Sequence, residues 1–523
     1  MFKHIHLSSD IGRTSTIAAA AAIVVILAGC GSVQTRPIDG AEVQRQARLD
    51  RSESQRDVIP IKAPLSLEEA IARALKYNLE RRSRMMEEAI ALNQLDVSHY
   101  DMLPKLVASA GYSSRSEYAT TRAVDSVTGQ PSLANPFISS DKHHATADLG
   151  LTWNLLDFGL SYYGARQNAD RALIALERRR KAMHNLIQDV RTAFWRTASA
   201  QKLRNDVKSV MALAEDALVD ARKAEDERLR SPLESLRFQR QLLDNLRLLE
   251  TIDQELSTAR IELAQLINAP LAAELTVVEP ADTLNSRMLG VSVDTMEDVA
   301  IARNADLREQ FYGARIAREE TRRTMLRMFP SLSLGYSIKR DNDQYLVHNN
   351  WNEAGAQLSF NLLNLLSAPA QMRLADAGVA LADQRRMATQ MAILAQVHVA
   401  RLQFSNALQQ YQRSDSIWSV DERISGHIAN REKAAASSKL ESVSSKTAAI
   451  VSQLRRYQAL AQAHAAASKL QATLGMEPDI GSVQDMSLPD LQAAVGGAIK
   501  HWENGELPAI AQTPAVAVSG SQP

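Results

Sequence analysis

Along this chain the hydrophobic pattern alternates between two periods, and it does so in the same order twice. Leu173, Leu176, Ile187, Val190, Phe194, Val207, Val210, Ala214 and Ala217 recur at intervals that mostly reduce to threes and fours. That spacing is the narrow apolar seam of a coiled-coil-like helix whose other faces are wet. The chain has no proline between Pro136 and Pro232, nor between Pro369 and Pro478. Two rods are therefore predicted, over about 160–227 and 370–432, each roughly 100 Å long at ~1.5 Å per residue. Helices of that length need partners along most of their course.

Ahead of each rod the period drops to two. Leu106, Ala108, Ala110 and Tyr112 alternate with small and polar residues, as do Ala145, Ala147, Leu149, Leu151, Trp153 and Leu155. Leu332, Leu334, Tyr336 and Ile338 follow the same rule in the second half, and so do Ala354, Ala356, Leu358, Phe360 and Leu362. Four strands of about ten residues are expected, greasy on one face. Tyr112, Trp153, Tyr336, Trp351 and Phe360 near their ends fit a membrane β-barrel with an aromatic rim. Four strands cannot close on themselves, and an open edge is not tolerated in lipid, so several chains must pool strands.

Set against itself, the chain shows a tandem repeat. At one offset Asn78 falls on Asn304, Pro104 on Pro330, Leu106 on Leu332, and Leu65-Ser66-Leu67 on Val291-Ser292-Val293. At a second offset Asn154-Leu155-Leu156 falls on Asn361-Leu362-Leu363, Arg166 on Arg373, and Leu233-Glu234-Ser235 on Leu440-Glu441-Ser442. The offset changes between Pro104 and Asn154, where the first copy carries a longer loop. Each copy reads short helix, medium helix, strand, strand, rod, returning helix, and the copies occupy 65–270 and 291–478, joined by a linker over 271–290. A rod matches the returning helix plus the medium helix stacked end to end, so each copy builds a hairpin column with the strands at its far end.

The 60 basic and 60 acidic residues balance, which gives no field toward nucleic acid. With one cysteine there is no internal disulfide and no multi-cysteine metal site. Residues 1–29 read as a secretory signal, with Lys3 and Arg13 ahead of an apolar run from Ile17 to Ala28 that is too short to span a bilayer. Its ending, Leu27-Ala28-Gly29-Cys30, resembles a bacterial lipobox. That resemblance implies cleavage before Cys30, an S-diacylglycerol and an N-palmitoyl chain; several acyl chains give durable anchoring in outer-membrane lipid. Gly31 in place of an aspartate implies sorting to the outer membrane. The polar segment 30–64 is expected to be an extended tether, and 479–523 a tail that becomes disordered from Pro508.

The lipobox, the duplicated unit and the strand end Trp153-Asn154-Leu155-Leu156-Asp157-Phe158-Gly159 together resemble the TolC family of outer-membrane efflux proteins. The resemblance implies a mainly α fold with a membrane β-barrel: a homotrimer with one twelve-stranded barrel, continued by a twelve-helix periplasmic tunnel. Residues 269–292 and 476–510 would pack around its middle. It implies a passive exit duct for small molecules, fed by an inner-membrane transporter through a periplasmic adaptor, with no cofactor and no catalytic residue. A duct for type I protein secretion, or a non-conducting structural lipoprotein, are the alternatives.

By the same resemblance the adaptor docks on the hairpin tips, here Arg228, Leu229, Arg230 and Ser231 in the first copy and Ala435, Ala436, Ser437 and Ser438 in the second. The family's glycine is absent from both tips. The tunnel entrance is narrowed near Glu441 and Ser444, with Glu234 the twin of Glu441 in the first copy. Both glutamates also read as first-turn acids that complement a helix dipole. Arg178-Arg179-Arg180-Lys181 reads as a solvated helix face. His143-His144 are adjacent on a strand, so their side chains point to opposite faces and make a poor metal pair. No P-loop, nucleotide fingerprint or catalytic triad spacing is present.

Overall fold

A computed structural model describes residues 35–131, 136–227, 231–272, 274–278, 285–434, 438–476, 483 and 485–507. The chain divides into two compact units, Met1–Asp57 and Val58–Pro523. Cys30, Arg228, Leu229, Arg230, Ala435, Ala436, Ser437 and the tail from Pro508 lie outside the described residues.

In the first unit Gly40–Gln55 forms helix α1. The expectation of an extended tether is corrected here. Glu42, Gln44, Gln46, Ala47, Arg48 and Leu49 are good helix formers, and Gln46 Nε2 donates to Asp50 Oδ1 one turn on, at 2.8 Å. None of its residues is buried, so the helix brings no core of its own.

The second unit carries the duplication. The first copy runs α2 (Leu67–Tyr77), α3 (Leu79–Tyr100), β1 (Lys105–Ser114), β4 (His143–Asn154), α4 (Leu155–Asp226) and α5 (Pro232–Leu266). Its longer loop adds the short strands β2 (Ala119–Thr121) and β3 (Phe137–Ser140), which pair with each other. The second copy runs α6 (Val293–Arg303), α7 (Ala305–Leu326), β5 (Ser331–Asp341), β6 (Asn350–Ser359), α8 (Asn364–Lys433) and α9 (Lys439–Thr473), and α10 (Leu488–Glu503) follows.

Both rods begin a turn or so earlier than the pattern predicts. Strand β4 passes into α4 without a loop because the Asn154 Oδ1 accepts from the Leu156 and Asp157 amides at 2.9 and 3.1 Å. Rod α8 starts ahead of Pro369 and runs through it. Proline as its sixth residue leaves the Leu365 carbonyl without its helical donor, a local loss of one hydrogen bond that a 70-residue rod tolerates, so proline misplaces this boundary.

All four long strands form one antiparallel sheet in the order β1-β4-β5-β6. The register aligns the apolar positions across it: Ala108 opposes Leu149, Leu149 opposes Ile338, Leu151 opposes Tyr336, and Leu332 opposes Leu358. These large side chains stay open, with Leu106 66%, Tyr112 72%, Tyr336 46% and Leu358 70% exposed. The opposite face pairs Asp148 with Lys339, and Lys339 Nζ lies 2.6 Å from the Glu353 carboxylate. Trp351 opposes Lys339 and therefore sits in the polar row, not on the greasy face.

Below the sheet, α4 packs between α3 and α7, with α8 beyond α7; further down it packs between α5 and α9, with α8 beyond α9. Asn78 and Asn304, which the repeat superposes, join the two tiers. Asn304 Oδ1 accepts from the Asp306 and Leu307 amides at 2.9 and 3.2 Å, and its Nδ2 donates to the Thr473 carbonyl at 2.9 Å. Asn78 does the same with the Arg81 amide at 2.9 Å and the Leu266 carbonyl at 3.0 Å. Each asparagine therefore caps an upper helix and satisfies an orphan carbonyl of the helix beneath it.

At that level α2, α6, α10 and the 3₁₀ turn Arg287–Gly290 form a collar around Ile187, Phe194, Val397 and Phe404 of the rods, in the largest core cluster. Residue 65 is bracketed by the linker, its amide donating to the Thr276 carbonyl and its carbonyl accepting from Val278, both at 2.9 Å. Fully burying each large apolar side chain there contributes about 1.5–3 kcal/mol.

Candidate functional site

The hairpin ends are the first candidate. Of the tip residues Ser231 and Ser438 are described, and they differ. The Ser438 Oγ accepts from the Glu441 amide at 3.2 Å and caps α9. Ser231 occupies the cap position of α5 with Pro232 behind it, and its side chain makes no capping bond. Glu234 and Glu441 both lie in the first turn of their helices, where a carboxylate complements the helix dipole. Glu441 also lies 3.6 Å from Arg431 of α8.

Ser444 faces α5, its Oγ accepting from Asn245 Nδ2 at 3.5 Å. Nearby, Lys439 forms an ion pair with Asp220 of α4, and the Ser442 hydroxyl donates to Glu432 at 2.5 Å. The Lys439–Asp220 pair raises the lysine pKa and lowers that of the aspartate, mainly through their mutual hydrogen bond. The end of the molecule is thus cross-tied by polar bonds between α4, α8 and α9, buried at Ser442 and exposed at Lys439–Asp220 and Arg431–Glu441. Pairs of this kind are individually weak and easily exchanged.

A second cluster lies where α3, α4 and α7 meet, and it corrects the solvated-face expectation for Arg178-Arg179-Arg180-Lys181. Arg178 lies 2.7 Å from Glu309, Arg179 2.7 Å from Glu88, and Lys181 2.8 Å from Asp306. Arg180 pairs with Glu177, whose other oxygen lies 2.6 Å from Arg308 Nε. Glu177 is almost completely buried, so the run clamps α4 to its neighbours. Charge blocks read as wet when their partners lie far away in sequence, and only the packing shows otherwise.

At the far end of the sheet His143 stacks on Tyr112, whereas the His144 Nδ1 lies 2.9 Å from Asp341. The two imidazoles do point to different partners. Among the described residues no cluster of three or more His, Cys, Asp and Glu could hold a metal ion, and no helix is long and apolar enough to cross a membrane.

The duplicated column of long helices ending in a four-stranded sheet is the fold of several solved outer-membrane channels. Three solved structures show the likeness. A membrane protein from Pseudomonas aeruginosa aligns with a TM-score of 0.62 at 15% identity, over 81% of this chain and 92% of its own. The Campylobacter jejuni CmeC outer membrane channel aligns with a TM-score of 0.60 at 11% identity, over 84% and 89%. The Neisseria gonorrhoeae MtrE outer membrane channel, in its open state, aligns with a TM-score of 0.56 at 18% identity, over 78% and 89%. In sequence, neither the family models nor the curated proteins compared with the chain match it.

Proposed function

We propose that three copies of this chain close into a passive outer-membrane duct, through which small solutes handed on by an inner-membrane transporter and a periplasmic adaptor leave the cell. The observation that supports it best is the coincidence of free edges. Strands β1 and β6 bound the sheet, α3 and α8 bound the upper helical tier, and α5 and α8 the lower. A rotational ring lays β6 of one copy against β1 of the next. Because the sheet has an even strand number, that new pair is antiparallel like the others. One operation then satisfies every open edge, as lipid demands.

The flanking helices carry the matching signal. Leu79, Met86, Ile90 and Val97 of α3 are 50–66% exposed, and Leu381, Met391, Val399 and Leu402 of α8 are 49–68% exposed. Rod α4, flanked on both sides, buries residues along its length, while α8 buries five. The solvated stripe on α8 is the surface a neighbouring copy covers.

In this reading acylated Cys30 anchors the chain, residues 228–231 and 435–438 meet the adaptor, and Glu234, Glu441 and Ser444 line the narrow entrance. Opening exchanges the exposed ties at the tips, Lys439–Asp220 among them, for adaptor contacts. Transport needs no catalytic group here, since the duct supplies only a route and a gate. Deleting 228–235 and 435–442 is expected to abolish export while trimers still reach the outer membrane. Export that survives the deletion refutes tip docking; a purified chain that stays monomeric refutes the ring.

A further inference from the structure

A cavity of about 410 Å³ opens between α3 and α4, just above the level where Asn78 joins the tiers. It lies within the size range of small-ligand sites. Arg81, Arg84, Arg178 and Lys181 line it, with Glu80 and Asp189. Arg84, Arg178 and Lys181 are each steadied by one carboxylate, from Glu87, Glu309 and Asp306. Arg81 is different. It is 5% exposed, and among the described residues its guanidinium has no hydrogen-bond acceptor and no ion-pair partner.

The groups closest in effect to Arg81 are cations. Burial, then Arg179 and Arg82, bring its pKa down from 12.5 to about 10, so it stays charged at neutral pH. Glu80 and Asp189 do not relieve it. Burial and the charge of Glu80 instead raise the pKa of Asp189. A buried guanidinium among other guanidiniums, with five donors unused, is costly unless an anion completes it.

The helical phase of α4 sets the direction of the opening. Arg178, Lys181 and Asn185 follow one face of α4, whereas Ile187, Phe194 and Ala198 enter the collar core. At ~100° per residue those two sets lie about half a turn apart. The cavity has Leu186 and Leu266 of the collar core at its floor and opens on the side away from the collar. In a closed ring of columns with the collar outside, that side is the lumen.

We propose that this cavity is a lumenal binding station for the anionic group, carboxylate or phosphate, of an exported solute, with Arg81 as its central ligand. The site rests on the duct reading for its place in the lumen, but not for its chemistry. A solute carrying such a group finds three equivalent stations at one height in the trimer. They concentrate acidic cargo midway along the tunnel and leave neutral solutes unaffected.

The test titrates the purified full-length protein in detergent with inorganic phosphate and with succinate by calorimetry. Wild type is expected to bind at least one of them. Arg81→Gln is expected to weaken that binding about tenfold or more, the loss of a charge-assisted contact. Arg84→Gln, at an exposed side chain that leaves the fold intact, is expected to weaken it severalfold, and Arg240→Gln, far down α5, not at all. Absence of binding to both anions in wild type, or equal affinity in wild type and in both cavity variants, overturns the proposal. Conductance in planar bilayers separates it from the duct reading. A protein that carries no current refutes the duct while the titration still decides the site; current with unchanged anion preference in Arg81→Gln refutes the lumenal placement.

Discussion

Replacing Asn304 tests the join between the two tiers directly. Asn304 is 6% exposed, and its amide makes two kinds of bond at once. The Oδ1 takes the amides of Asp306 and Leu307, and the Nδ2 satisfies the carbonyl of Thr473 at 2.9 Å. Asn304→Ala removes an N-cap, which costs about 1 kcal/mol. It also leaves a buried carbonyl without a donor, which costs about 1–3 kcal/mol more. The sum, about 2–4 kcal/mol, corresponds to roughly 30- to 700-fold faster local opening, at about 1.4 kcal/mol per tenfold.

Hydrogen exchange of the amides at the start of α7, measured on the full chain in detergent, reads that opening. Asn304→Ser keeps a capping oxygen but does not reach Thr473, so it is expected to recover about 1 kcal/mol of the loss. Asn78→Ala should behave similarly but more mildly, because Asn78 caps a single amide and is 9% exposed. Unchanged exchange at Asp306 and Leu307 in Asn304→Ala would show that the stacking of helices, not the asparagine, holds the tiers. A serine variant as damaged as the alanine variant would remove the cap from the account.

Two further outcomes follow from the mid-column core. His464 is stacked on Trp195 at 4.5 Å between ring centroids, and burial, with Arg191 adding to it, lowers its pKa from 6.5 to about 3. The unfolded chain therefore takes up a proton that the folded chain refuses. Stability is complete above pH 6.5 and falls as the pH drops toward 3, by about 2 kcal/mol between pH 7 and pH 5. Denaturation midpoints at those two pH values should lose this part of the difference in His464→Phe; an identical pH dependence would exclude His464 as its source. Gly475 follows α9 at φ +66°, and a Cβ there would lie 2.4 Å from the Arg303 carbonyl oxygen. Gly475→Ala should cost about 2–4 kcal/mol, from left-handed strain plus a displaced backbone, and lower the melting temperature of the helices, whereas Asn268→Gly, at φ 53° in the first copy, should stay within about 1 kcal/mol.

Several of these features were visible in sequence as coincidences without a stated cause. Asn78 and Asn304 superpose in the repeat because each closes the same joint between a returning helix and a medium helix. The left-handed residues that follow the two returning helices, Asn268 and Gly475, come from the structure and not from the repeat as read in sequence. Arg178 to Lys181, by contrast, read as solvated, since Glu88, Asp306 and Glu309 lie far off in the chain. Pro369 misled because a proline inside a long helix costs one local hydrogen bond and need not end the helix. Trp351 misled because its strand begins earlier than its apolar stretch, which puts the indole in the polar row.

Periodicity and self-similarity alone determined the order of the repeated elements, the rods, the four long strands and the duplication, though not α1, α10, β2 or β3. These are local properties: a side chain's face depends on its spacing along one helix or strand, and the same spacing recurs in each copy. Tertiary structure decided which charges meet, which asparagine amides bridge the tiers and where the basic cavity opens. Such contacts join positions far apart in the chain, 91 residues for Glu88 and Arg179 and 131 for Arg178 and Glu309. Their geometry depends on how the columns pack, and no pattern within a single segment encodes that.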